Sequence, residues 1–280
     1  MIREKTDKKF YGEKKFMEKM DMEALRSKQG FVSDMDGVIY HGNHLLPGVL
    51  EFVEWLKKNK KHFLFLTNAS GKSPKELQQK LHRMGLEVEE SNFYTSALAT
   101  AQFLSKQAPG CSAYVIGEPG LYNALYNVGI SLNDVDPDYV VVGETFNYNL
   151  DCMCKAMRLV EKGARLIATN SDLTYPDEVG NVPACRALVS PIELTTGRQA
   201  YFIGKPNPLM MRTALHMLDT HSGESVMIGD RMDTDVIAGI ESGMTSVLVL
   251  SGVSTRENIK TFPYRPNYIL NGVGDIPNKK

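Results

Sequence analysis

At 280 residues, with 42% hydrophobic and 23% charged side chains, the chain can bury one large core or two moderate ones, and general disorder is excluded. A formal net charge of −1 argues against a broad nucleic-acid-binding face. No apolar run approaches the ~20 residues a bilayer span requires.

The first 28 residues alternate charges with isolated aromatics and methionines and contain no continuous signal-peptide core, so a cytoplasmic protein without a membrane partner is expected. Phe10, Met17, Met20 and Ala24 follow a loose helical stripe, which predicts a surface-packed N-terminal extension over 1–28. From residue 29 the pattern changes to strands alternating with amphipathic segments, the signature of a parallel α/β sheet. Strands are predicted at 31–35, 62–66 and 93–95. Helices are predicted at 47–59, at 73–84 with Ser73 as N-cap and Pro74 in the first turn, and at 96–107.

A Pro-Gly pair at 109–110 marks a boundary. Residues 109–199 then form a self-contained set, with strands at 114–116, 139–142 and 166–168 and helices at 121–128, 148–162 and 184–194. They read as a second α/β unit inserted between two halves of the first, 29–108 and 200–280. The closing half is predicted to carry strands at 201–203, 225–228 and 246–250 and helices at 208–218 and 234–242.

Four apolar runs end on residues that phosphoryl chemistry uses: 31–33 on Asp34-Met35-Asp36-Gly37, 63–66 on Thr67-Asn68, 201–203 on Gly204-Lys205, and 226–228 on Gly229-Asp230. As neighbouring parallel strands they would deliver these groups to one sheet edge, where open α/β folds bind ligands. Asp34 is suited to attack phosphorus as a carboxylate nucleophile, and Asp36, two residues on, to act as acid and then base. Two anions facing a dianionic substrate require a cation. Mg2+ suits an oxygen of Asp34, the backbone carbonyl of Asp36, and Asp230, with Asp235 orienting that set or binding a coordinated water. Lys205, Thr67 and the Asn68 backbone amide supply donors to a phosphate. A lone DxD is more often a turn or an N-cap; the ordered set of DxDG, TN, GKP and GDxxxTD, each behind an apolar run, points to a single site.

With these motifs the chain resembles the haloacid dehalogenase (HAD) superfamily of phosphatases and, within it, the NagD-like branch. The resemblance runs from about residue 30 to 276 and includes FYTSALATAQF at 93–103, PDYVVVGET at 137–145, IATNSD at 167–172 and LVLSGVS at 248–254. It implies a Rossmann-like parallel-sheet core with an inserted α/β (C2-type) cap. It also implies Asp34 as nucleophile, Asp36 as acid/base, Thr67 and Lys205 as phosphate binders, and a magnesium site at Asp34, Asp36 and Asp230. Asn170 and Asp172 fall where this branch contacts the leaving group and become the specificity candidates; an Asx turn closing a strand is the alternative. The implied substrates are small phosphate esters, nucleoside monophosphates and sugar phosphates among them. Phosphotransfer to a second acceptor and a non-catalytic phospho-ligand sensor are the rival activities, and oligomeric state is left open.

Other features are read as ordinary. Ser70-Gly71-Lys72-Ser73 ends like a P-loop but lacks its first glycine. His41 and His44 have no third zinc ligand, and Trp55 is packing. The four cysteines, Cys111, Cys152, Cys154 and Cys185, form no CxxC pair and are predicted to be reduced, partly buried side chains. Arg186, where relatives tend to carry a small residue, is read as solvated or as pairing with an acidic substrate.

Overall fold

A computed structural model describes residues 21–176 and 179–277. Most of the expected N-terminal extension, residues 1–20, lies outside the described residues. Its last part forms helix α1, Met22–Ser27, capped by the Asp21 carboxylate, with Leu25 buried and Arg26 Nε donating to the Ile276 carbonyl at 2.7 Å.

In chain order, β1 (Gly30–Ser33) is followed by a small hairpin, β2 (Tyr40–His41) and β3 (His44–Leu45), then α2 (Val49–Lys58), β4 (His62–Thr67), α3 (Pro74–Arg83), β5 (Phe93–Thr95) and α4 (Ser96–Gln107). The middle of the chain holds β6 (Ser112–Ile116), α5 (Pro119–Asn127), β7 (Ser131–Leu132), β8 (Tyr139–Val142), α6 (Leu150–Glu161), β9 (Arg165–Ala168), a second hairpin of β10 (Thr174–Pro176) and β11 (Asn181–Pro183), and α7 (Cys185–Thr196). The chain closes with β12 (Tyr201–Phe202), α8 (Pro208–Leu218), β13 (Ser225–Gly229), a π-type turn at Met232–Val236 running into α9 (Ile237–Glu241), β14 (Thr245–Val249) and β15 (Tyr268–Leu270).

Two parallel sheets result. The first has strand order β15-β14-β13-β1-β4-β5 and the second β12-β9-β8-β6-β7. One expectation fails here: Tyr201–Phe202 does not belong to the first sheet. It pairs in parallel with Ile167 and Ala168 of β9, Phe202 packs on the apolar layer beneath the second sheet, and the Tyr201 ring lies 5.3 Å from Phe103. Lys205 therefore reaches the site from an edge strand of the second sheet.

Both faces of the first sheet are covered, which is why β1 is a continuous apolar run rather than an alternating one. Phe31, Phe65, Val226 and Ile228 face α2 and α3; Phe31 meets Trp55 edge-on at 5.6 Å and Trp55 stacks on Phe52. Truncating Phe31 to alanine there would cost about 3–5 kcal/mol. The opposite face, with Val32, Leu64 and Met227, is continuous through α4 and α5 with Val115, Val141 and Ile167 of the second sheet. One apolar layer thus joins the two sheets and fixes where the second sits above the first.

Candidate active site

Strands β1 and β13 are adjacent and parallel, and the Asp34 N–H extends their ladder by donating to the Ile228 carbonyl at 2.8 Å. This places Asp34 and Asp230 side by side at the C-terminal edge of the sheet. After Asp34 the chain turns tightly, with the N–H groups of Val38, Ile39 and Tyr40 converging on the Met35 carbonyl. Gly37 makes that turn feasible, because its φ is +75° and a Cβ there would lie 2.6 Å from Asp230 Oδ2.

The Lys205 ammonium is buried between two carboxylates, 2.6 Å from Asp34 Oδ1 and 2.8 Å from Asp235 Oδ1. Asp34, Asp230 and Asp235 each bring an oxygen to within 4.8 Å of the others. Burial pushes the carboxyls of Asp34 and Asp235 up, with Lys205 opposing, and pushes Asp230 well above the ordinary range with further help from Asp235 and Asp34. Burial also works against the Lys205 ammonium, yet Asp235 and Asp34 together hold it charged. Three carboxylates against one lysine leave an excess of negative charge in a dry site, an arrangement suited to a cation with oxygen ligands.

The donor pattern separates the roles of the three. Both oxygens of Asp235 are taken, one by Lys205 and one by the Arg231 N–H at 3.0 Å. Asp230 Oδ2 accepts the Val253 N–H at 2.7 Å, while its Oδ1 receives no donor from a described residue. Asp235 is therefore fixed as an orienting group, and Asp230 presents an open oxygen.

Asp36 stands apart from this cluster. Its side chain is exposed at the mouth of the site, 3.9 Å from His41 Nδ1. Partial burial raises its pKa, with Lys80 and His41 opposing. Thr67 and Asn68 end β4, the neighbour of β1 on the other side, so their hydroxyl and backbone amide share the edge with Asp34.

The Asn68 side chain has a larger part than its sequence position suggested. Its Oδ1 accepts the Lys205 N–H at 2.7 Å, and its Nδ2 donates to the Lys205 carbonyl at 3.1 Å and to Asp172 Oδ2 at 2.8 Å. Asn170 and Asp172 follow β9 of the second sheet and hang over this edge. Asn170 Oδ1 accepts the Asp172 N–H at 3.1 Å, the Asx turn of the alternative reading, while its Nδ2 reaches the Asn68 carbonyl at 2.8 Å and Glu144 at 3.0 Å. Asp172 Oδ1 is buried without a hydrogen bond from any described residue, and Arg231 Nε approaches it to 3.9 Å.

Arg231 and Glu144 were not singled out from the sequence, although both lie inside recognised motifs. Arg186 was read wrongly. It pairs with the buried Glu193 at 3.0 Å and lies 4.9 Å above the Phe202 ring, and Glu193 in turn accepts the Ala200 N–H. This interaction ties α7 to β12 and gives the guanidinium a partner within the protein. The remaining assignments to packing or turns agree with the structure. Ser73 forms a capping box with Glu76, His41 and His44 oppose each other in the β2–β3 hairpin, and the four cysteines are free.

A parallel sheet that gathers carboxylates, a lysine and small polar groups at one edge, beneath a second sheet inserted into the chain, defines a capped phosphoryl-transfer hydrolase. The sequence matches the haloacid dehalogenase-like hydrolase family over residues 31–131 and the HAD-hydrolase-like family over 202–276. It is 43% identical over 246 residues to the dihydroxyacetone phosphatase of Corynebacterium glutamicum, covering 88% of this chain and 90% of that one. It is likewise 43% identical over 245 residues to the ribonucleotide monophosphatase NagD of Escherichia coli K12, covering 88% and 96%. The solved structure of E. coli NagD superposes with a TM-score of 0.84 at 41% identity over 90% of this chain and 99% of that one. The chain belongs to the haloacid dehalogenase-like hydrolases and is a phosphatase of the NagD-like branch. Members of this family generally use a metal ion, and no helix among the described residues is long and apolar enough to cross a membrane.

Proposed function

We propose that the enzyme hydrolyses small phosphate monoesters through an aspartyl-phosphate on Asp34. The observation that carries this is the Lys205 ammonium held at 2.6 Å from Asp34 and 2.8 Å from Asp235 beside Asp230. Asp34 attacks phosphorus, and the ester oxygen leaves with a proton from Asp36. Asp36 then takes a proton from the water that cleaves the acyl phosphate. Lys205, the Thr67 hydroxyl and the Asn68 N–H hold the phosphoryl oxygens. Asp36 is suited to the shuttle because it is exposed and outside the charge cluster.

Magnesium is the cation of this reading, since the cluster offers carboxylates and no imidazole or thiol. Asp34, Asp230 and the Asp36 carbonyl would hold it, and it would neutralise charge on the phosphoryl group. Residues 29–108 and the segment after Gly204 form the catalytic unit, and the inserted unit is the cap, with Asn170 and Asp172 facing the leaving group. The relatives' names point to phosphorylated metabolites of triose to nucleotide size as substrates. Four free thiols support a cytoplasmic setting.

The test is Asp34→Asn with p-nitrophenyl phosphate and a panel of triose, sugar and nucleoside monophosphates. Turnover should fall by at least about 10³-fold with the fold retained. Wild-type rates in that variant would reject the assignment.

A further inference from the structure

Lys80 lies on α3, outside the carboxylate cluster, and no motif singles it out. Its ammonium sits 3.6 Å from the centre of the Tyr40 ring and is half buried. Among the described residues no carboxylate pairs with it within 4 Å. Its charged neighbours are two cations, Lys72 and Arg83, and one anion, Asp36. Burial and the two like charges push it down to about 8, with Asp36 opposing.

Its position matters because Tyr40 closes the turn that carries Asp36. The Gly37 N–H donates to the Tyr40 carbonyl at 2.9 Å, and the backbones of Asp36 and Tyr40 are bridged. Lys80 and His41 are the two basic side chains whose charge Asp36 feels. A partly dehydrated ammonium among like charges is costly, and such groups cluster where a ligand supplies the missing counter-charge. The phosphoryl group already has Lys205. The part of the substrate that lies on the Asp36 side is the leaving group, because Asp36 protonates its oxygen.

We propose that Lys80 is a specificity residue that binds a carboxylate carried by the leaving group close to the ester oxygen, so that phosphate esters of hydroxy acids are favoured substrates. A single ammonium, partly offset by Asp36, matches a monoanionic carboxylate better than a second, dianionic phosphate. The cation–π contact with Tyr40 holds the ammonium in place while no ligand is bound. This inference rests on the phosphatase reading with Asp36 as the acid.

The experiment compares kcat/KM for 2-phosphoglycolate and 3-phosphoglycerate with that for glycerol 3-phosphate, the neutral-leaving-group reference, in wild type, Lys80→Met and Lys80→Arg. Fructose 1,6-bisphosphate is the arm for a second phosphate. Wild type should prefer the carboxylate esters. In Lys80→Met the ratio of carboxylate to neutral ester should fall at least tenfold, mainly through KM, and Lys80→Arg should restore most of it. An equal loss on both classes, an unchanged ratio, or a preference confined to the bisphosphate would each overturn the proposal. Binding of 2-phosphoglycolate and glycerol 3-phosphate to Asp34→Asn, with and without Lys80→Met, gives the same ratio without turnover. If wild type turns over p-nitrophenyl phosphate but none of the carboxylate esters, the proposal is overturned and the phosphatase reading stands; if it also fails on p-nitrophenyl phosphate, the phosphatase reading itself fails.

Discussion

The Asn68 side chain at the end of β4 donates a hydrogen bond of 2.8 Å to Asp172, 104 positions later on the inserted unit. The same amide clamps the backbone of Lys205 on both sides. A residue expected only to offer a backbone donor to phosphate is thus the joint between the phosphate site and the cap. Asp172→Asn keeps the shape but weakens the charge-assisted bond and the 3.9 Å approach of Arg231. It should raise KM for small esters about tenfold, with a smaller effect on kcat. Steady-state kinetics check this, and a pure kcat effect would place Asp172 in the chemistry instead.

Lys205→Met removes the counter-charge from Asp34 and Asp235 while keeping much of the volume. Breaking a buried pair in this way costs about 3–5 kcal/mol. The stranded carboxyls then titrate higher in the folded state than in the unfolded one, so the folded state binds more protons and stability falls as pH rises. The deficit against wild type, measured by urea unfolding, should therefore be smaller near pH 5 than near pH 8, and activity should be abolished.

Metal binding is expected to stabilise the fold, because the cluster around Asp230 carries uncompensated charge. At a hundredfold excess over Kd, Mg2+ should add about 2.7 kcal/mol, several degrees in Tm for a chain of this size. Asp230→Asn should lose that response. A thermal shift of equal size in the variant would place the ion elsewhere.

Glu144 of the inserted unit is pushed up to about 7 by burial, with the Asn170 hydrogen bond opposing. A carboxyl whose folded pKa exceeds its unfolded value binds more protons in the folded state across the window between them, here about 4.5 to 7. Stability is therefore lost as pH rises through that window, by about 3 kcal/mol. Glu144→Gln should flatten the profile, matching wild type near pH 4.5 and exceeding it near pH 8. An unchanged slope would mean another group is responsible.

The sequence made the site legible because β1, β4 and β13 are apolar runs that stop on polar residues, and parallel pairing brings such stops together. It could not assign Tyr201–Phe202, since two residues carry no periodicity and both sheets are parallel and apolar. The β10–β11 hairpin was hidden by its prolines and the two-residue strands β2 and β3 by their brevity. Arg186 was misread because its partner Glu193 sits two turns further along the helix, and only the fold shows that carboxylate to be buried. Lys80 carries no sequence signal at all; its neighbour Tyr40 comes from another element.

The placement of β12 has a practical consequence for exchanging modules between relatives. The N–H groups of Ile203 and Gly204 still bond to Ala168 and Thr169, and a Cβ on Gly204 would lie 2.6 Å from Asn68 Oδ1, so the chain passes between the units with no slack. A chimaera cut at residue 200 would leave β12 behind with the host, so that β9 of the incoming module would have to pair with another protein's edge strand. Cutting between Gly204 and Lys205, and transplanting Asn68 and Asp172 as a matched pair, keeps each half whole.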